Sequence, residues 1–101
     1  MVSRQGVALF ADFGEVKRMY VRDAARGRSV AQALLARIEQ EVSDAGLALL
    51  RLETGTRQAA ALRFYQQAGF TFCAAFGAYA TMPPRAVATS LFLQKDLSRA
   101  A

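Results

Sequence analysis

The 101-residue sequence has no histidine, one cysteine and two prolines. Without histidine it lacks the commonest general base and metal ligand near neutral pH. A Ser-His-Asp triad is excluded, and no metal site is expected. Cys73 has no partner for an internal disulfide, which agrees with a reducing compartment. It stands in the apolar run 70–76 and reads as a small core residue rather than a nucleophile. No apolar run approaches the ~20 residues that span a bilayer. The first residues, Met1-Val-Ser-Arg-Gln-Gly, lack the charged-then-apolar plan of a signal peptide. A cytoplasmic protein with no membrane span is expected.

Acidic residues are also scarce. There are 8 against 13 basic ones, all but Lys17 and Lys95 of them arginine, and the net charge is +5. Such a balance favours anionic partners: nucleic acid, phosphorylated cofactors or acidic proteins. A genome's base content alone also produces arginine-heavy chains, so local clusters carry more weight than the total. No RNP-type aromatic pattern or recognition helix is present, and nucleic acid is not the expected partner.

What the chain does have is a globular composition, 53% hydrophobic and 21% charged. Its length predicts one domain over residues 1–101, with a single core. Residues 7–13 read as a short strand ending near Gly14, the corner of a hairpin. Residues 15–22 alternate, with Val16, Arg18, Tyr20 and Arg22 on one face and Lys17, Met19 and Val21 on the other. From Ser29 the period changes. Val30, Leu34, Ile38, Val42 and Ala45 recur at helical spacing, Ala31 and Leu35 widen the stripe, and Gly46 is the stop. Residues 47–53 are a continuous apolar run ending in charge, as in an interior strand. A turn at 54–56 leads to a second helix over 58–68, closed by Gly69. Residues 70–76 and 87–95 read as strands, and Pro83-Pro84 mark 77–85 as loop. The order β-β-α-β-α-β-β, with a right-handed parallel crossover through the first helix, predicts an α/β (α+β) fold with a mixed antiparallel/parallel sheet.

The first helix starts among Arg26, Gly27, Arg28, Ser29, Val30 and Ala31. First-turn amides are unpaired and lie at the positive end of the helix dipole, so phosphates bind there when the backbone can approach. Gly27 blocks no approach, Arg26 and Arg28 add charge, Ser29 is placed to cap and Ala31 is small. A solvated turn with a serine cap is the plainer reading of the same residues.

Residues 16–35, VKRMYVRDAARGRSVAQALL, followed by residues 51–70, RLETGTRQAAALRFYQQAGF, resemble the GNAT-type N-acetyltransferases. The resemblance extends over roughly residues 7–97. In that family a strand leads into a loop of the form Gln/Arg-x-x-Gly-x-Gly/Ala, whose amides hold the pyrophosphate of acetyl-coenzyme A. Arg26, Ser29 and Ala31 match it, with serine in the first glycine slot. The family's Asn-x-x-Ala-x-x-x-Tyr-x-x-x-Gly-Phe pattern matches Gln58, Ala61, Tyr65, Gly69 and Phe70, with glutamine in the asparagine slot.

The resemblance implies transfer of an acetyl group from acetyl-coenzyme A to a primary amine of a small-molecule or peptide acceptor. It implies that Met19, Tyr20 and Val21 bind the pantetheine arm, and that a backbone N–H near Met19 or Tyr20 polarises the thioester carbonyl. Residues Arg26, Gly27, Arg28, Ser29, Val30 and Ala31 then hold the pyrophosphate, and Gln58, Ala61 and Tyr65 complete the cofactor site. Tyr65 is implied to protonate the leaving thiolate, for which a phenol is equipped because it still holds its proton at neutral pH. The other reading of Tyr65 is an aromatic packing its helix onto the sheet. Two carboxylates are candidates for the base. Glu15 opens the second strand and also reads as a solvated residue beside a turn. Glu53 closes the third and follows an apolar run, where partial burial suits a base. Arg57 and Arg63 read as solvated helix charges. The loop with Tyr79 and Met82 resembles the family segment that closes over the acceptor, and equally suits an ordinary surface loop.

Family members carry a further strand and two helices before the hairpin, where here about six residues precede the first strand. The expectation is a truncated GNAT-like fold with residues 7–13 as an exposed apolar edge, and a homodimer or higher oligomer that covers it. A truncated, catalytically inactive module that binds coenzyme A or oligomerises is the alternative function.

Overall fold

The computed structural model of the chain describes residues 2–4, 6–17 and 24–99. Among them the elements run β1 (Val2–Arg4), β2 (Val7–Leu9), β3 (Gly14–Val16), α1 (Ala24–Asp44), β4 (Leu49–Gly55), α2 (Ala59–Gln67), β5 (Thr71–Phe72) and β6 (Ser90–Asp96). One sheet holds the strands in the order β1-β2-β3-β4-β6-β5. β3 and β4 are parallel with α1 between them in the chain, and every other neighbouring pair is antiparallel. The mixed sheet and α+β class expected from the sequence are present.

The structure adds β1, which pairs with β2 across a turn ending on Gly6, whose φ is 86°. β2 is therefore covered, and the bare edge expected at residues 7–13 is not found. Three residues are too few to show a period, so β1 left no trace in the sequence pattern. The hairpin corner also lies elsewhere. Residues 10–13 make the turn, with the Phe10 N–H donating to the Phe13 carbonyl at 2.9 Å. Gly14 sits inside β3, where α1 comes so close that a Cβ would stand 2.6 Å from Val42 Cγ2. Its small size serves that packing rather than a turn.

α1 buries Ala31, Leu35, Ile38 and Val42 against the sheet. Val30, expected in the stripe, is 72% exposed, because it lies about 100° around the helix from Ala31. Both helices end in the same way. The Gly46 N–H donates to Ser43 and the Leu47 N–H to Val42, while Gly69 donates to Gln66 and Phe70 to Tyr65. The two glycines have φ of 81° and 103°, the left-handed conformation that this helix stop requires. The Tyr65 to Phe70 spacing thus has a structural use of its own, reinforced by ring centroids 5.5 Å apart.

Val7, Leu9, Val16, Leu50, Leu52 and Leu93 carry the sheet side of this core. The other face is covered by Phe13, Phe76 and Phe92, with the segment after β5 laid across it. The strand expected over 70–76 is only two residues long, because Phe70 belongs to the helix stop and the chain then crosses the face to bury Phe76. No helix among the described residues is long and apolar enough to cross a membrane.

Candidate active site

The ladder between β3 and β4 stops early. Gly14 stands opposite Leu50 and Glu15 opposite Arg51, with no further pair among the described residues. β3 stays with β2, where the Lys17 N–H donates to the Gly6 carbonyl at 2.7 Å. β4 stays with β6 down to Gly55 opposite Ser90. Beyond Arg51 the β4 backbone groups on the β3 side therefore have no strand partner among the described residues.

Leu50 and Leu52 point to the helices, so Arg51 and Glu53 point to the other face, where Glu15 joins them as the cross-strand neighbour of Arg51. Glu15 is 4% exposed, which corrects the reading of it as a solvated residue. The hairpin turn lies ahead of Gly14, so Glu15 is inside the sheet. Its Oε2 accepts from the Tyr79 hydroxyl at 3.2 Å and pairs with Lys17 Nζ at 3.3 Å. Tyr79 belongs to a 3-10 turn, Gly77–Thr81, and its ring packs on Phe76 at 5.5 Å and Phe92 at 5.2 Å. Its phenol is pushed up to about 12, first by burial, then by the charge of Glu15 and the bond to it, then by the charge of Glu53. At neutral pH it is a fixed neutral donor.

Glu53 is half-buried and takes the Ser90 hydroxyl on Oε2 at 2.6 Å. The Arg51 guanidinium lies over the rings of Phe13 at 4.9 Å and Phe76 at 5.6 Å, and its Nε donates to Gln94 Oε1 at 3.4 Å. Burial raises the Cys73 thiol, against a smaller opposite pull from Arg51, so it stays protonated and unreactive.

Tyr65 lies on the opposite, helix-bearing face. It is 5% exposed, its ring meets Phe64 and Phe70, and burial raises its phenol. The packing role is therefore real, and Ala61 is buried in the same core. Gln58 is exposed ahead of α2; its carbonyl accepts the Leu62 N–H at 2.9 Å and its side chain makes no cap bond. The sheet separates Tyr65 from Glu15 and Glu53.

Met19, Tyr20 and Val21 lie outside the described residues. α1 begins at Ala24, so Arg26, Gly27, Arg28, Ser29, Val30 and Ala31 occupy its first turns rather than a loop ahead of it. Ser29 is thus not the cap. Alanine and arginine are strong helix formers, and the single Gly27 does not outweigh them. Arg57 and Arg63 are exposed, as is Met82 at 41%.

Lys17, Arg51 and Ser90 were not singled out by sequence. A signal existed for Arg51, two residues from Glu53 and so on the same strand face. None existed for Ser90, which meets Glu53 only through the β4–β6 register.

Residues 2–72 match the family model for the acetyltransferase (GNAT) domain. The chain is 45% identical over 85 residues to an IAA acetyltransferase of Azospirillum brasilense, covering 84% of this chain and 52% of that protein. A Klebsiella pneumoniae protein assigned as an acyl-CoA N-acyltransferase superimposes with a TM-score of 0.74 at 35% identity, over 90% of this chain and 60% of that one. The PaiA N-acetyltransferase of Thermoplasma acidophilum, solved with coenzyme A, superimposes with a TM-score of 0.69 over 89% of this chain and 50% of that one; at 18% identity it speaks for the fold alone. The chain spans about half the length of the curated relative it matches. With the parallel β3–β4 pair crossed over through α1 and the family model agreeing over most of its length, the chain belongs to the GNAT acetyltransferase family.

Proposed function

We propose that the chain works in an acetyl-coenzyme A-dependent N-acetyltransferase that acylates a primary amine of a small-molecule or peptide acceptor. The observation that carries this reading is the β3–β4 ladder that ends at Arg51 among the described residues, with Tyr65 on one face of the sheet and Glu15 and Glu53 on the other. The residues fit the cofactor. Beyond Arg51 the edge of β4 has backbone groups without a strand partner among the described residues, which suit an extended, amide-bearing arm such as pantetheine. The start of α1 offers first-turn amides for a diphosphate, and Arg26 and Arg28 are assigned to the same group by the motif alone.

Acetyl-coenzyme A supplies the activated acetyl group. The chain's own residues hold and move the protons. Glu15 or Glu53 takes a proton from the acceptor's ammonium, so that a neutral amine can attack. Tyr65, kept protonated by burial, is suited to give one to the departing thiolate. Met19 and Tyr20 follow β3 and are assigned to the pantetheine arm by the motif alone.

The test is turnover across a panel of amines, read as released thiol. The reading expects turnover of at least one amine, and a kcat for Tyr65→Phe lower by roughly 10²-fold. No turnover and no coenzyme binding would refute it. A second reading, coenzyme A binding without turnover, is favoured by Ser29 in the glycine slot and by the helical run through residues 26–31. It expects binding, silence with every amine and no effect of Tyr65→Phe.

A further inference from the structure

We propose that Tyr79 is a positioning residue for Glu15: from the turn that crosses the face of the sheet, its hydroxyl holds one carboxylate oxygen so that the other faces the acceptor amine. This rests on the reading of Glu15 as the base.

A carboxylate that is 4% exposed needs donors to remain in place. Among the described residues Glu15 has two, both on Oε2, while Oε1 takes no hydrogen bond. Lys17 stands at the rim with its side chain 46% exposed, where solvent screens the pair. Arg51, directly across the strand pair, is turned onto two rings and Gln94 and does not pair with Glu15. Tyr79, partly buried, is therefore the inner of the two donors. It is also the most constrained. Its N–H donates to Phe76 at 3.0 Å and its carbonyl accepts from Met82 at 3.2 Å, so the turn is tied at both ends. Phe76 and Phe92 fix the ring. The charge of Glu53 acts on the same hydroxyl, so both carboxylates lie near it. Tyr79 thereby ties the segment after β5, remote in sequence, to the base on β3.

Tyr79→Phe keeps the ring and removes the donor. The expected result is a kcat lower by roughly tenfold or more, the worth of one hydrogen bond to a charged group, with the KM for acetyl-coenzyme A within about twofold of the parent. In a Glu15→Gln background the same change should alter kcat less than about twofold, because Tyr79 acts through Glu15. Full activity of Tyr79→Phe beside a crippled Glu15→Gln overturns the proposal alone. An equal loss in both backgrounds also overturns it. Unimpaired turnover by Glu15→Gln removes the base reading, and the proposal with it. A second measurement needs no turnover. With ¹³C-labelled tyrosine, Tyr79 should still be protonated near pH 11, and Glu15→Gln should move its titration back towards the ordinary value of 10. A Tyr79 titration indifferent to Glu15→Gln overturns the contact.

Discussion

Replacing Gly14 by alanine tests how closely α1 lies on β3. The new methyl would stand 2.6 Å from Val42 Cγ2, 3.3 Å from Val42 Cγ1 and 3.4 Å from Val7 Cγ2. The Gly14 backbone is ordinary strand, so conformational strain adds nothing. Val42 cannot swing aside, since a β-branched side chain in a helix has essentially one rotamer. It is fully buried, so no solvent gap absorbs the displacement. Overpacking of this kind costs about 1–3 kcal/mol. For a domain of this size that lowers Tm by roughly 5–20 °C. Val42→Ala alone leaves a cavity and costs about 2 kcal/mol. Combined with Gly14→Ala it removes the clash, so the pair should be less damaging than the sum by about 1–2 kcal/mol. Thermal melts of the four proteins read this directly. A Gly14→Ala protein that melts with the parent, or strictly additive losses, would refute the close approach of helix and strand.

Two further outcomes follow from the site. Glu15 is the more buried carboxylate and its Oε1 takes no hydrogen bond among the described residues, so Glu15→Gln should lower kcat by roughly 10²–10⁴-fold and Glu53→Gln by much less, both with coenzyme binding intact; steady-state kinetics with isothermal titration decide. Tyr79 also gives stability a pH dependence. Below pH 10 the folded and unfolded chains both keep its proton, and between 10 and about 12 only the unfolded chain releases it, so stability falls across that window. Tyr79→Phe should flatten that decline in melts at constant ionic strength, and an unchanged slope would count against the buried donor.

The elements bounded by strong local chemistry were legible. Gly46 and Gly69 stop the helices where the sequence placed them, and the apolar stretches that became β4 and β6 are both interior strands of the sheet. The start of α1 was not legible, because Ala24 and Ala25 carry no cap signal and Gly27 was read as a loop residue. Gly14 misled in the same way, since glycine marks a turn and a close helix contact alike. Within the site, Tyr65, Glu15 and Glu53 could be nominated by motif or position. The pairings of Tyr79 with Glu15 and of Ser90 with Glu53 bridge 64 and 37 residues of chain, and no local pattern encodes them.

A crystal structure of the full chain with acetyl-coenzyme A tests the central claim most directly. The pantetheine arm should run along β4 beyond Arg51, between β3 and β4, with the diphosphate at the start of α1. A coenzyme seated instead in the groove of about 330 Å³ between α1 and α2, against Leu35, Glu39, Phe64 and Lys95, or none bound at all, would contradict it.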